Sequence, residues 1–292
     1  MELDRVYRFI DSCINLVLRH SDITLYLITV AIILASILSF ILPEPYYTRD
    51  WIVITNLGSS TAYIAYGLIL YYFIDPSKAY DIIIVLIASG FLNIMIKDIT
   101  ALPRPLHPRI PVHGYSFPSG HAQSSSTFWT SAYILYPKTP TLILAIVMTM
   151  AISASRVILN VHYVRDVIYG ALIGIAVGIL LTLVMLAIER FNKLIWYVLM
   201  HFTLSIIMIL TYLVYHDLML VKFSGFLIGG LAHPILHSKV GLKNDSRLTQ
   251  LLKFSFSAIV ILVLSKLSID PITAFISSLL IGLTIPYIKF KI

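Results

Sequence analysis

The chain has 292 residues, 59% of them hydrophobic and only 12% charged, with a net charge of +7 and a mean hydropathy of +0.91. That balance excludes an ordinary soluble domain and predicts an all-α, polytopic membrane helical bundle. Lys and Arg gather at the ends of apolar stretches instead of forming a stripe, which excludes nucleic acid as a partner. The single cysteine, Cys13, rules out an intrachain disulfide or a thiol-based metal site and is expected to pack.

In chain order, residues 1–22 come first. Val6, Phe9, Ile10, Cys13, Ile14, Val17 and Leu18 recur at helical spacing among mostly separate charges. This predicts an amphipathic helix lying in the membrane interface, one that is retained and not cleaved as a signal. Ten apolar stretches follow, at 23–42, 54–74, 80–96, 120–136, 140–158, 164–188, 194–214, 217–236, 251–268 and 271–288. Each is read as a span on the criterion of about 20 mostly apolar residues. Pro43, Pro76, Pro137, Pro140 and Pro271 fall at their boundaries, where a missing N–H costs least. The expected organisation is an interfacial helix at 1–22, a six-span core at 23–190 and a C-terminal transmembrane region at 194–292.

With the N-terminus placed in the cytoplasm, the 21 Lys and Arg residues divide 13 inside to 8 outside. This bias supports that orientation and a location in the cell membrane. The loop 97–119 and the turn 159–163 then both face the extracytoplasmic side. Two polar regions meet there.

Three blocks in those regions carry the chemistry: "KDITALPRP" (97–105), "PSGH" (118–121) and "SRVILNVHYVRD" (155–166). They hold three cations (Lys97, Arg104, Arg156), two histidines (His121, His162) and one carboxylate (Asp166) at predicted helix ends. Ionisable groups at membrane depth are costly and point to function. Three cations with few acids nearby fit an anion, and guanidinium forks fit phosphate oxygens. Ser119 and Gly120 begin the fourth span, so their backbone N–H groups are expected to be free donors at a helix N-terminus. His162 and Asp166 are spaced i to i+4, so that on a helix the carboxylate would hold one ring nitrogen protonated and leave the other as a lone pair. His121 is available as a proton donor.

The blocks K-x6-RP, PSGH and SR-x5-H-x3-D closely resemble the three signature motifs of the type 2 phosphatidic acid phosphatase family. That family also includes glucose-6-phosphatase and the vanadium haloperoxidases. The resemblance covers about residues 50 to 190 and departs from the pattern at no motif position. It implies that His162 attacks phosphorus to give a phosphohistidine and that Asp166 orients it. His121 would protonate the departing lipid oxygen and then deprotonate water. Lys97, Arg104, Ser119, Gly120 and Arg156 would hold the phosphoryl oxygens. Neither a metal nor another cofactor is implied.

The expectation is therefore a hydrolase acting on a membrane lipid phosphate, with a polyprenyl diphosphate favoured over phosphatidate or phosphatidylglycerophosphate because an outward site suits recycling of a carrier. The rivals are a vanadate-dependent haloperoxidase, against which the spans argue, and a lipid-binding or transport protein without turnover. His107, Arg109, His113 and Tyr115 lie in the outer loop, either near a headgroup or merely solvated. His233 and His237 are read as a helix end at the interface in preference to a metal pair. Gly170, Gly174 and Gly178 are read as a close helix contact. Tyr46, Tyr47 and Trp51 are expected to mark the outer interface.

Overall fold

The computed structural model describes residues 2–188, 193–233 and 246–287, and among these every regular element is helical. His237, and the basic residues Arg190, Lys239, Lys243, Lys289 and Lys291 used in the orientation count, lie outside the described residues. The helices are α1 (Glu2–Arg19), α2 (Ser21–Ser39), α3 (Tyr46–Asn56), α4 (Ser60–Ile69), α5 (Pro76–Thr100), α6 (Gly120–Leu135), α7 (Thr139–Ile158) and α8 (Val164–Ile188). They continue as α9 (Lys193–Tyr215), α10 (Leu218–Gly230), α11 (Arg247–Lys266) and α12 (Pro271–Tyr287), and a π-helical turn, Leu70–Ile74, follows α4.

Among the described residues six helices are long and apolar enough to cross a membrane, or seven if α3 and α4 with its π-turn form one broken span. The chain is a multi-pass membrane protein. Not all of the ten apolar stretches appear as full-length spans among the described residues. The stretch 54–74 is bent by 48° between Asn56 and Ser60. Within the described residues α10 has 13 residues, about 20 Å at 1.5 Å per residue, against a hydrocarbon core of about 30 Å. The polar helix α6 has 16 residues, and Ala122, Gln123, Ser125, Ser126, Thr127, Phe128, Ser131, Ala132 and Leu135 are all buried on it. It is an interior helix, which is why its hydroxyls need no lipid-facing substitute.

The packing divides the chain into two units. One comprises Arg19–Tyr66 and Asp81–Leu183; the other comprises Met1–Leu18, Gly67–Tyr80 and Val184–Ile292.

In the first unit α7 packs on α2, α3 and α6. Trp51, Ile54, Ala151, Leu159 and Val161 make a buried cluster beneath the turn that follows α7. Trp51 is 1% exposed, so it is core and not an interfacial marker. Helix α8 shows why both of its faces are apolar. Ile168, Leu172, Ile175, Ile179 and Leu183 form an exposed stripe at i, i+4, i+7, i+11 and i+15. The opposite stripe, Gly170, Gly174 and Gly178, lies against α6: an added Cβ would stand 2.6 Å from the Ser119 carbonyl, 2.0 Å from Ser126 Oγ and 3.0 Å from the Thr127 carbonyl, respectively. The expected glycine contact is present.

Polar pairs then tie α6 to α5. Gln123 Nε2 donates to the Ser89 carbonyl at 2.9 Å, Asn93 Nδ2 donates to Gln123 Oε1 at 2.8 Å, and the Ser89 and Thr127 hydroxyls meet at 2.8 Å. Every member is buried, and buried polar groups persist where they are mutually satisfied.

In the second unit α10 packs on α9 and α12, while α11 packs on α12 and on the π-turn. The π-turn buries two consecutive tyrosines, Tyr71 and Tyr72, whose hydroxyls reach His233 Nδ1 at 3.1 Å and Ser257 Oγ at 2.7 Å. Tyr80 stacks on His233 at 4.3 Å and bonds His201 Nε2 at 2.7 Å. His233, just past the end of α10, is thus buried against two tyrosines. Cys13, expected to pack, is exposed.

Candidate active site

All of the candidate residues fall in the first unit, around three chain segments: the end of α5 with the loop 101–119, the start of α6, and the end of α7 with the turn 159–163. The loop is sewn to the turn. Arg109 N donates to the Leu159 carbonyl at 3.0 Å. Asn160, in the left-handed region at φ 54°, donates from Nδ2 to the Leu106 carbonyl at 2.7 Å. Asparagine tolerates that conformation at a helix exit.

His162 lies in the turn, two residues before α8 begins, and not on a helix as its spacing from Asp166 had implied. It is 3% exposed, and Asp166, in the first turn of α8, is fully buried. Nδ1 of the ring is 3.7 Å from Asp166 Oδ2, beyond hydrogen-bond reach. Ser116 stands between them. Its hydroxyl donates to Asp166 Oδ2 and lies 3.3 Å from His162 Nδ1. Asp166 Oδ2 also accepts from the Tyr163 backbone N–H at 3.0 Å.

On the other edge of the ring, Arg104 Nη1 is 3.1 Å from His162 Nε2. A guanidinium can only donate, so Nε2 presents its lone pair and the proton of the neutral ring sits on Nδ1. Arg104 is held by backbone carbonyls, from Nε to Gly114 at 3.0 Å, from Nη1 to Val161 at 2.9 Å and from Nη2 to His113 at 3.0 Å. Lys97 Nζ likewise donates to the carbonyls of Tyr115 and Ser116 at 2.7 and 3.2 Å. Burial, reinforced by the charges of Arg104, Lys97, Arg156 and His121, pushes the His162 ring down to about 2. The ring is neutral at ordinary pH. Burial also lowers Arg104, with Asp166 acting against it.

Arg156, 4% exposed, donates from Nη1 to Thr55 Oγ1 of α3 at 2.8 Å, and its Nε has no partner. The Ser119 hydroxyl is equally buried and unpartnered. The Ser119 backbone N–H, expected to be a free donor, is spent on the Asp166 carbonyl at 2.9 Å. The bond fixes the start of α6 to α8 and leaves the hydroxyl as the serine's available donor. Gly120 N–H remains at the open first turn of α6, while the Gly120 Cα faces Asn93, 3.1 Å from where a Cβ would lie. His121 is partly buried beside the break between α3 and α4, where a Cβ on Gly58 would come within 3.4 Å of its ring.

Arg109 is drawn off toward Glu44 and Thr48, with its guanidinium 5.3 Å from the centre of the Tyr47 ring. His113 enters through its carbonyl alone. Thr55, Ser116, Asn160, Asn93 and Gln123 are the supporting residues that sequence reasoning did not assign to the site. Asn160, directly after an apolar run, carried a visible exit signal; the others carried none. Among the described residues no group of three or more His, Cys, Asp or Glu is placed to hold a metal ion.

This arrangement coincides with a family match. The model of the PAP2 superfamily covers residues 78–190. Among curated relatives, the decaprenylphosphoryl-5-phosphoribose phosphatase of Mycobacterium tuberculosis is 36% identical over 92 residues, covering 30% of this chain and 50% of its own. Phosphatidylglycerophosphatase B of Bacillus subtilis is 29% identical over 169 residues, covering 51% of this chain and 81% of its own. The mouse sphingosine-1-phosphate phosphatase 1 is 28% identical over 151 residues, covering 48% of this chain and 35% of its own. The chain thus spans half the length of the mycobacterial relative. The crystal structure of the PAP2-type phosphatidylglycerolphosphate phosphatase from Bacillus subtilis is 24% identical, with a TM-score of 0.43, over 58% of this chain and 98% of that one. The PAP2 segment contains all three motif blocks, while Thr55 and Gly58 lie ahead of it.

Proposed function

We propose that the protein is a metal-independent lipid phosphatase that works through a phosphohistidine. The observation that carries this is a buried neutral histidine whose Nε2 lone pair meets Arg104, in a site that also holds Lys97 and Arg156. Phosphoryl transfer needs positioning and charge stabilisation above all.

In this reading the Nε2 lone pair of His162 attacks phosphorus, the bond from phosphorus to the lipid oxygen breaks, and His121 gives that oxygen its proton. Water then attacks the phosphohistidine, loses a proton to His121, and phosphate departs with its bond to Nε2 broken. The unpartnered Ser119 hydroxyl and Arg156 Nε donate to the phosphoryl oxygens together with Gly120 N–H, Arg104 and Lys97. Asp166 holds the ring.

The core is residues 23–190, the region 194–292 has a separate role, and the site faces the extracytoplasmic side of the cell membrane. The substrate class is a lipid phosphate or diphosphate, in keeping with relatives named for decaprenylphosphoryl-5-phosphoribose, sphingosine-1-phosphate and phosphatidylglycerophosphate. A polyprenyl diphosphate is favoured, since an outward site suits a carrier left outside. Phosphatidylglycerophosphate is the second reading, favoured by the match along 81% of phosphatidylglycerophosphatase B.

The test is phosphate release by purified protein in detergent from prenyl diphosphates, phosphatidate and phosphatidylglycerophosphate. Release is expected with EDTA present and is expected to vanish in His162→Ala. Turnover that survives in that variant, or that EDTA abolishes and a divalent ion restores, overturns the mechanism.

A further inference from the structure

The carboxylate that the motifs pair with His162 does not touch it. Nδ1 and Oδ2 are 3.7 Å apart, and a hydrogen bond there needs about 3 Å. The Ser116 hydroxyl fills the step, giving its proton to Asp166 Oδ2 and lying 3.3 Å from Nδ1. The direction of this chain is set from outside it. Arg104 only donates, so Nε2 accepts and Nδ1 carries the proton. With Asp166 as the final acceptor, the one consistent order runs from Nδ1–H to Ser116 Oγ and from Ser116 O–H to the carboxylate.

Ser116 is itself fixed on every side. It is fully buried, its N–H donates to the Leu102 carbonyl at 2.8 Å, and its own carbonyl accepts from Lys97 Nζ at 3.2 Å. A residue held through N–H, carbonyl and hydroxyl has little freedom to vary the angle at which it meets the imidazole.

We propose that Ser116 is a positioning residue: its hydroxyl relays the hold of Asp166 onto Nδ1 of His162 and so keeps the Nε2 lone pair aimed at phosphorus. The proposal rests on the phosphatase reading for its kinetic consequence only. During attack the Nδ1 proton stays on the ring, and the positive charge that develops there is met by Asp166 through the hydroxyl. No proton passes to the carboxylate.

Three measurements test it in the full-length protein. Ser116→Ala is expected to lower kcat about 10- to 100-fold with KM nearly unchanged, as loss of an interaction made in the transition state does. Ser116→Thr, which retains the hydroxyl, is expected to recover most of that loss. In imidazole-15N-labelled protein, Arg104 should keep His162 in the Nδ1–H tautomer in both proteins, while the Nδ1–H proton should be slow to exchange in the wild type and exchange faster, at a shifted resonance, in Ser116→Ala.

A kcat for Ser116→Ala within twofold of wild type overturns the proposal. So does a loss of rate with the exchange and resonance of the His162 Nδ1–H proton unchanged, which would mark the serine as a packing residue only. If the wild type releases phosphate from no lipid phosphate, the phosphatase reading fails on its own, and the Nδ1–H comparison still decides the role of Ser116.

Discussion

At the scale of single residues, the cations of the site are set in place before any anion arrives. Arg104 is anchored by three backbone carbonyls, so that as phosphorus approaches Nε2 only the Nη1–H bond to the His162 ring has to pass to a phosphoryl oxygen, and such preorganisation keeps the reorientation in the transition state small. Lysine offers a point charge in place of a planar fork. Arg104→Lys is therefore expected to lower kcat/KM about a hundredfold or more, ~3 kcal/mol, with the fold intact in a thermal melt. Arg156 depends on Thr55, which accepts from its Nη1 at 2.8 Å across 101 positions of sequence. Thr55→Val keeps the shape and removes that acceptor. A hydrogen bond to a charged group contributes about 1.5–3 kcal/mol, so kcat/KM should fall about 10- to 100-fold, and Thr55→Ser should restore it. Full activity in the valine variant would show that Arg156 is oriented by its burial alone.

At the scale of elements, the site depends on α6 and α8 approaching to backbone distance. The Ser119 N–H bond to the Asp166 carbonyl joins the two helix starts, and Gly170 and Gly174 allow it, because any Cβ there would strike the Ser119 or Gln123 carbonyl at 2.6 or 2.3 Å. Gly174→Ala therefore has to part the helices, with an overpacking cost of about 1–3 kcal/mol. The expected result is a lower melting temperature together with lost turnover, while Gly114→Ala, which meets nothing within 4 Å but sits at φ +69°, tests loop strain separately.

This contact was legible in the sequence as a glycine every fourth residue, as were the histidines, cations and carboxylate of the three blocks, because their spacing follows helix ends. What was not legible are partners chosen by the fold. Ser116 lies 50 positions from Asp166, and Thr55 precedes Arg156 by most of the first unit. Neither residue differs in type from dozens of other hydroxyls. The helix break at Gly58 was hidden for a related reason. Hydropathy averages over a bend, and the contact of Gly58 with Ile152 and the His121 ring is made across the chain. The free N–H expected of Ser119 failed because a helix start says which donors lack an intrahelical acceptor, not which are taken by a neighbour.

At the scale of the whole molecule, a multi-pass chain of low charge keeps a cationic site with one buried carboxylate against His162, and that imbalance has a thermodynamic signature. Burial, and then the charges of Arg104, Lys97, Arg156 and His121, push the His162 ring from its ordinary 6.5 down to about 2 in the fold. A histidine lowered by folding binds its proton more tightly in the unfolded chain, so its contribution to stability is complete above about 6.5 and is lost as pH falls from there toward the folded value. Each unit of pH within that window costs about 1.4 kcal/mol for one such group. Between pH 6.5 and 5 the His162 share is about 2 kcal/mol. Melting temperatures of the purified protein should therefore fall across that range, and His162→Gln, which cannot take up the proton, should remove one proton's worth of the slope. Inorganic phosphate should raise the wild-type melting temperature throughout, since an anion that binds only the folded state stabilises it by mass action. The same ionisation bears on turnover. With the ring neutral far below neutral pH, loss of activity on mild acidification has to come from another group or from the substrate's own phosphate, and the His162→Gln slope decides whether that is so. An unchanged slope in the variant would mean that the folded ring takes up its proton over the same range as the unfolded chain, and that burial and the cations do not hold it neutral below about 6.5.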